Sequence, residues 1–356
     1  MKILAVESSA DDLSWAVVED GSIVVACGMA SQTELHTKTG GIVPEVASRE
    51  HMRTVIPVLE EVIKKLSLVE IDAIAVTYGP GLVGSLLVGL MAAKTLALAL
   101  GKPLIPVHHI EGHIAANWLE RDAKTLQGKK IILTVSGGHN DLYLMEQFGQ
   151  FEQVGWTLDD AAGEAYDKTA RMLGLGYPGG PSIDKFILEN RDQFGHLANP
   201  YILPRALGEK GSLLFSFSGL KSEVRRQVVK LEQPSPQEKF FLAQEFVEAV
   251  TDVLARRLFE AGEKYEAEIF MVTGGVSASN RLKEKVFELA HQKGIDTEKI
   301  FFPVKKLYST DNAAMIGSAA YFVYQHCNER VKVSDQDIIT LAPHLQFGLN
   351  LANTKA

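Results

Sequence analysis

A chain of 356 residues, 46% of them hydrophobic and 22% charged, can bury more than one sizeable core, and domains of roughly 100 to 200 residues lead to an expectation of two lobes. The net charge of −8 excludes a strong electrostatic footprint for nucleic acid, which normally shows as an excess of Lys and Arg over at least one face. Cys27 and Cys327 are too few and too far apart for a disulfide framework or a CxxC metal or redox site, so a reducing, cytoplasmic setting is expected.

At the start of the chain only residues 3–6 form an apolar run before Glu7, short of the roughly 7 to 15 residues of a secretion signal, and none is expected. Residues 2–6 and 13–18 read as two strands joined by the acidic turn Glu7, Ser8, Ser9, Ala10, Asp11 and Asp12, with a third strand near residues 23–26. Behind Pro44, residues 45–65 place Val46, Met52, Val55, Ile56, Leu59, Val62 and Ile63 at helical spacing. Residues 71–77 predict a buried strand. The apolar stretch 82–100 is long enough for a bilayer at about 20 residues. Lys94 interrupts it at a cost of about 2.5 to 3.5 kcal/mol on insertion scales, so a helix inside a soluble core is predicted and no membrane is expected. A strand at 103–107 and a helix carrying His109 and His113 complete a first lobe, 1–122.

A second lobe, 123–356, opens the same way. Residues 130–135 predict a strand, Ser136, Gly137, Gly138 and His139 a turn, and residues 141–145 a returning strand. Further on, residues 267–273 lead through Gly274 and Gly275 into a helix, and residues 300–303 lead through Thr310, Asp311 and Asn312 into another. The stretch 174–219 reads as loop-rich. The whole is an α/β pattern with an internal echo, and no short-period repeat or low-complexity segment is present.

Turns of small residues between paired strands expose backbone N–H groups that bind anions. Thr134, Val135, Ser136, Gly137 and Gly138, with Gly274 and Gly275, therefore suggest a nucleotide cleft, whereas Glu7, Asp11 and Asp12 would repel a phosphate unless a cation intervenes. His109 and His113 lie four apart, so a helix projects both imidazoles from one face, where they can share a metal or simply face solvent. The HExxH pattern of zinc proteases is absent, and Asp311 offers either a third oxygen ligand or a helix cap. Asp159, Asp160, Glu164, Asp167 and Asp184 surround a Gly- and Pro-rich loop at 174–181 and can accept hydrogen bonds from sugar hydroxyls or remain solvated. Lys221, Arg225, Arg226 and Lys230 form the best basic stripe in an acidic chain.

Eight motifs in order then carry a resemblance along nearly the whole chain: residues 40–51, 78–90, 109–113, 135–139, 158–185, 215–221, 273–278 and 310–317. The sequence resembles the tRNA threonylcarbamoyladenosine biosynthesis family TsaD and its archaeal and eukaryotic counterparts, formerly called glycoproteases. The resemblance implies an actin-like ATPase (ribonuclease H-like) fold of two duplicated lobes around a nucleotide cleft. It implies that His109, His113 and Asp311 bind one divalent ion, iron(2+) or zinc, and that Thr134, Val135, Ser136, Gly137, Gly138, Asp167, Gly180 and Asp184 contact the adenylate. The implied reaction moves threonylcarbamoyl from threonylcarbamoyl-AMP to the N6 amine of the adenosine 3′ of the anticodon, in tRNAs reading codons that begin with A, and needs no protein nucleophile. Implied partners are tRNA and, in bacteria, an inactive actin-like paralogue (TsaB-type) and a small P-loop ATPase (TsaE-type), with no DNA.

Three departures stand out. Ala10 replaces the family's cysteine, which removes any thiol chemistry there. Ser279 stands where an asparagine is usual, putting the expected adenosine contact in question, and Asn140-Asp141 follows the SGGH turn in place of Thr-Gln or Thr-Glu. A protease and a catalytically weakened organising module are the competing classes, disfavoured by the missing HExxH and by the retained His109, His113, Asp311, Asp167 and Gly180.

Overall fold

The described residues build two five-stranded sheets of the same strand order. The computed structural model describes residues 1–39, 41–64, 66–205, 211–326, 341, 342, 344 and 347; Gly40, Cys327 and most of the end of the expected second lobe lie outside them. Packing divides the chain into two compact units, the first from Met1–Gly128, Met145–Glu152 and the described residues of Phe302–Ala356, the second from Lys129–Leu144 and Gln153–Phe301.

In the first unit, β1 (Lys2–Glu7), β2 (Leu13–Glu19) and β3 (Ile23–Ala30) form the expected meander. After the short helix α1 (Thr33–Thr39) and the helix α2 (Pro44–Ile63), β4 (Ala73–Gly79) returns to the sheet. Helix α3 (Val83–Leu100), β5 (Leu104–His108) and helix α4 (His109–Ala115) follow. The order is β3-β2-β1-β4-β5, antiparallel from β3 to β1 and parallel from β1 through β4 to β5. Alternation along the strands splits the core. Leu4, Val6, Trp15 and Val17 face α2 and α3, packing with Val55, Leu59, Leu90 and Ala93.

The second unit repeats the plan with β6 (Lys130–Val135), β7 (Asn140–Met145) and β8 (Phe151–Trp156). Helices α5 (Ala162–Leu173), α6 (Gly179–Phe194), α7 (Ser218–Leu231) and α8 (Pro236–Lys264) come next. Then follow β9 (Ile269–Thr273), α9 (Asn280–Lys293) and β10 (Ile300–Phe301). Its order, β8-β7-β6-β9-β10, is the first sheet's order over again. Helix α8 supplies the core, opened by a Ser235/Glu238 capping box and burying Phe240, Phe246, Val250, Leu254 and Leu258.

Three expectations change. The last described helix, α10 (Ala313–His326), packs on the first sheet and belongs to the first unit, whereas the expected second lobe ran 123–356. Gly317 lies so close to β2 that an added Cβ would sit 2.7 Å from Val18 Cγ2, and the Ser318 hydroxyl donates to Gly21 O at 2.6 Å. Helix α3 buries only one face: Leu86, Leu90, Ala93 and Ala97 are covered, while Val83, Leu87 and Met91 are exposed, as are Met52 and Ile56 on α2. It is the one described helix long and apolar enough to cross a membrane. Finally, the expected loop at 174–219 contains the 16-residue α6, whose Pro181 lies in the first turn, where no intrahelical N–H bond is lost.

Candidate functional site

The centre of the first unit is organised by α4. His108 caps it, its Nδ1 accepting from Ile110 N at 3.1 Å while Glu111 Oε2 accepts from His108 N at 3.2 Å. One turn of helix then places His109 and His113 on one face, with ring centroids 4.6 Å apart. Gly112 between them lets α10 approach, since an added Cβ there would fall 2.6 Å from Ile316 Cδ1. That contact brings in Asp311. The capping role falls to Asn312, whose Oδ1 accepts from Met315 N at 3.0 Å, leaving Asp311 directed at the histidines.

Asp311 Oδ1 stands 3.2 Å from His113 Nε2 and 3.5 Å from His109 Nε2. Bonds of about 2.0 to 2.1 Å to one tetrahedral ion set neighbouring ligand atoms roughly 3.3 Å apart, so two imidazoles and a carboxylate at these spacings fit a divalent cation. The three ligand atoms lie within 4.8 Å of one another. Glu7, fully buried at the end of β1, orients the set from behind. Its Oε2 lies 3.2 Å from His109 Nδ1, which turns Nε2 toward Asp311. Glu7 is itself held by Thr77 Oγ1 at 2.5 Å and Ser9 N at 2.6 Å. Burial works against charge on His109, but Asp311 and Glu7 outweigh it and push its pKa up to about 9. Burial pushes Asp12 up to about 6, with Asp11 and Asp311 adding to it. Ala10 contributes only its carbonyl, which lies 3.1 Å from His51 Nε2.

In the second unit, the residues expected to meet an adenylate gather around the end of β6. Ser136 N donates to His139 O at 2.8 Å, closing the turn, and Asn140 Oδ1 accepts from Ala162 N at 3.1 Å, tying β7 to the start of α5. Glycine is required on the inner side. A Cβ at Gly163 would lie 2.6 Å from Ser136 O, one at Gly274 2.4 Å from Val135 O, and one at Gly179 2.5 Å from Asp167 Cα. On the outer side a Cβ added at Gly137, Gly138, Gly180 or Gly275 would meet no described atom within 4 Å, so that side of these backbones faces open space. Turn 136–138, α5 and the start of α6 thus meet around accessible backbone. Asp167 Oδ1 accepts from Gly179 N at 2.6 Å, so it fastens α6 to α5, while Asp184 lies on the α6 turn after Gly180. Thr134 and Ser279 hydroxyls are buried without a hydrogen-bond partner among the described residues.

Two other groups read differently in the structure. Asp159 caps α7, accepting from Phe217 N at 2.8 Å and Ser218 N at 3.2 Å, and Asp160 pairs with Lys168 and Lys221; neither is a loose acceptor. In the basic stripe, Arg226 makes a two-pronged pair with Glu223 at 2.8 and 2.9 Å. Sequence reasoning missed Glu7 as the holder of His109, and Gly163 and Asn140 as the supports of the turn. A carboxylate at the last position of a buried strand was the available signal for Glu7.

The duplicated sheets define an actin-like ATPase fold, and solved structures agree. HypF from T. kodakarensis superposes with a TM-score of 0.58 at 14% identity, covering 91% of this chain and 48% of that one. Full-length HypF in a phosphate- and nucleotide-bound form gives 0.58 at 12% identity, covering 92% and 56%. The family described as TsaD, tRNA N6-adenosine threonylcarbamoyltransferase, matches residues 24–318. Proteins of that name from Clostridium novyi and Clostridium perfringens are 45% and 46% identical, over 91% and 90% of this chain and 93% and 92% of theirs. The chain belongs to the tRNA N6-adenosine threonylcarbamoyltransferase family.

Proposed function

We propose that this chain transfers the threonylcarbamoyl group of threonylcarbamoyl-AMP to the N6 amine of the adenosine 3′ of the tRNA anticodon, releasing AMP. The observation that carries the reading is the His109, His113 and Asp311 triad at ligand spacing with Glu7 behind it, inside a chain of this family. An exocyclic adenine amine is a poor nucleophile, so the carbamoyl carbonyl must be polarised and AMP must leave as a stabilised anion. A divalent ion, iron(2+) or zinc, held by His109, His113 and Asp311, supplies Lewis-acid stabilisation of phosphate or carbamoyl oxygens. The open backbone at Ser136, Gly137 and Gly138 offers N–H groups to phosphate oxygens, and Thr134, Val135, Asp167, Gly180, Asp184 and Ser279 surround the remainder of the nucleotide. No side chain is assigned as a nucleophile.

Protein partners belong to the proposal: an inactive actin-like paralogue and a small P-loop ATPase, in the cytoplasm. The exposed apolar side chains Met52, Ile56, Leu87 and Met91 on α2 and α3 support a protein partner, since a chain working alone rarely leaves two neighbouring helices so uncovered. Mass spectrometry of tRNA nucleosides from cells lacking this protein tests the reading. Threonylcarbamoyladenosine should vanish and return with the wild-type chain but not with His109→Ala/His113→Ala; its persistence in the deletion refutes the function.

A further inference from the structure

A pocket of about 250 Å³ opens between α5 and α7, lined by Lys168, Arg171 and Met172 from one helix and Lys221, Ser222 and Arg225 from the other. We propose that it seats a backbone phosphate of the RNA substrate, with Arg225 as the side chain that meets it; the inference rests on the tRNA reading above. Four of the six lining side chains are cationic in a chain whose net charge is −8.

Three of the four have carboxylates close by. Lys168 Nζ is 3.0 Å from Asp160 and close to Glu164, Lys221 pairs with the other oxygen of Asp160, and Arg171 lies near enough to Asp167 to work against the burial that raises that carboxyl's pKa. Arg225 is exposed and has no ion pair or hydrogen bond among the described residues. A guanidinium left open at a concave basic site matches a phosphate, whose oxygens it can engage in pairs.

The pocket is also pre-formed. Asp159 takes the N–H groups of Phe217 and Ser218 and both flanking serine hydroxyls, so the first turn of α7 is already satisfied by a carboxylate. Any anion between the helices must therefore bind to the side chains. Neighbouring Asp160 bridges to Lys168 on α5 and Lys221 on α7, fixing the two helices at their shared edge. Along α5 the pocket is near the proposed nucleotide site. Gly163 touches Ser136 and Gly137, and Arg171, eight residues later, is about 12 Å farther along the axis at 1.5 Å per residue. That span equals three to four nucleotides at roughly 3.4 Å each in a stacked strand, within reach of an RNA whose target base is at the turn.

The test is multiple-turnover modification of an unmodified tRNA transcript by the chain with its partner proteins, comparing wild type, Arg225→Glu, Arg225→Lys and Arg226→Glu. Arg225→Glu should raise the KM for transcript about 5- to 10-fold and leave kcat at saturation and AMP affinity unchanged. The salt dependence of its RNA binding should become shallower by about one unit in log K against log salt. Arg225→Lys should restore most of the KM, and Arg226→Glu should behave as wild type. An unchanged KM and salt slope for Arg225→Glu would overturn the proposal, as would equal effects at Arg226. Weakened assembly with the protein partners and normal RNA binding would also overturn it, by making the pocket a protein contact. If the wild-type assembly modifies no transcript, the tRNA reading itself fails, which separates the two outcomes.

Discussion

At the scale of single residues, His109 is held at both ring nitrogens, with Glu7 and Ser9 at Nδ1 and Asp311 facing Nε2. Elemental analysis of purified His109→Ala/His113→Ala should therefore show near-complete loss of the divalent ion, and unchanged content would remove the triad from the account. Glu7→Gln keeps the shape but not the charge behind the ring, and titration with a competing chelator should show metal affinity about 10- to 100-fold weaker. Asp141 makes a separate, pH-dependent contribution. Burial pushes its pKa up to about 6 despite hydrogen bonds from Tyr143 at 3.2 Å and Gln153 at 3.1 Å. The unfolded value is near 3.9, so between about pH 4 and 6 the native chain holds the extra proton, and this residue's contribution falls as pH rises through that window, by up to about 3 kcal/mol. Asp141→Asn should stabilise the protein more at pH 7 than at pH 4.5 in urea melts; an equal shift at both would contradict the assignment. Ser279, whose buried hydroxyl has no partner among the described residues, stands where the family resemblance leads to an expectation of asparagine. Calorimetry on Ser279→Asn should show AMP binding tighter by up to about 1.5 kcal/mol for one added hydrogen bond, and weaker binding would place the base contact elsewhere.

At the scale of elements, the strands were the most legible part because each is a short apolar run ended by a turn, as in residues 2–6 and 130–135. Helix α6 was not legible. Its Gly179-Gly180-Pro181 start reads as a breaker, yet Gly179 is there because Asp167 on α5 leaves no room for a Cβ, a tertiary reason that local propensity does not contain. The apolar stretch of α3 gave its length correctly but not its exposure, since hydrophobicity alone does not distinguish a core from an uncovered face. The proposed metal ligands were visible as His109 and His113 four apart, whereas nothing in the sequence shows which of Asp311 and Asn312 caps α10. Gly163 shows the same logic in reverse. Valine there is a tolerable helix residue, so the effect of Gly163→Val should be confined to the turn it displaces at Ser136 and Gly137. AMP affinity should fall about tenfold or more, the worth of one lost hydrogen bond, with metal content unchanged. A variant that loses both together would show that the glycine supports the fold at large.

At the scale of the whole molecule, the two repeated sheets divide the proposed chemistry: the first unit carries the ligand triad and the second the open glycine backbone. Neither solves the electrostatic problem of a chain of net charge −8 acting on a polyanion. Sequence-independent phosphate contacts normally supply much of nucleic-acid affinity, so this chain alone should modify tRNA poorly and partners should restore turnover. The most direct measurement is therefore a reconstitution with threonylcarbamoyl-AMP, an unmodified tRNA transcript and the partner proteins, followed by nucleoside mass spectrometry and quantification of AMP. Threonylcarbamoyladenosine should form with one AMP released per modified nucleoside, and His109→Ala/His113→Ala should abolish both. Absence of the modified nucleoside from the wild-type reaction, or equal yield from the double variant, would contradict the account.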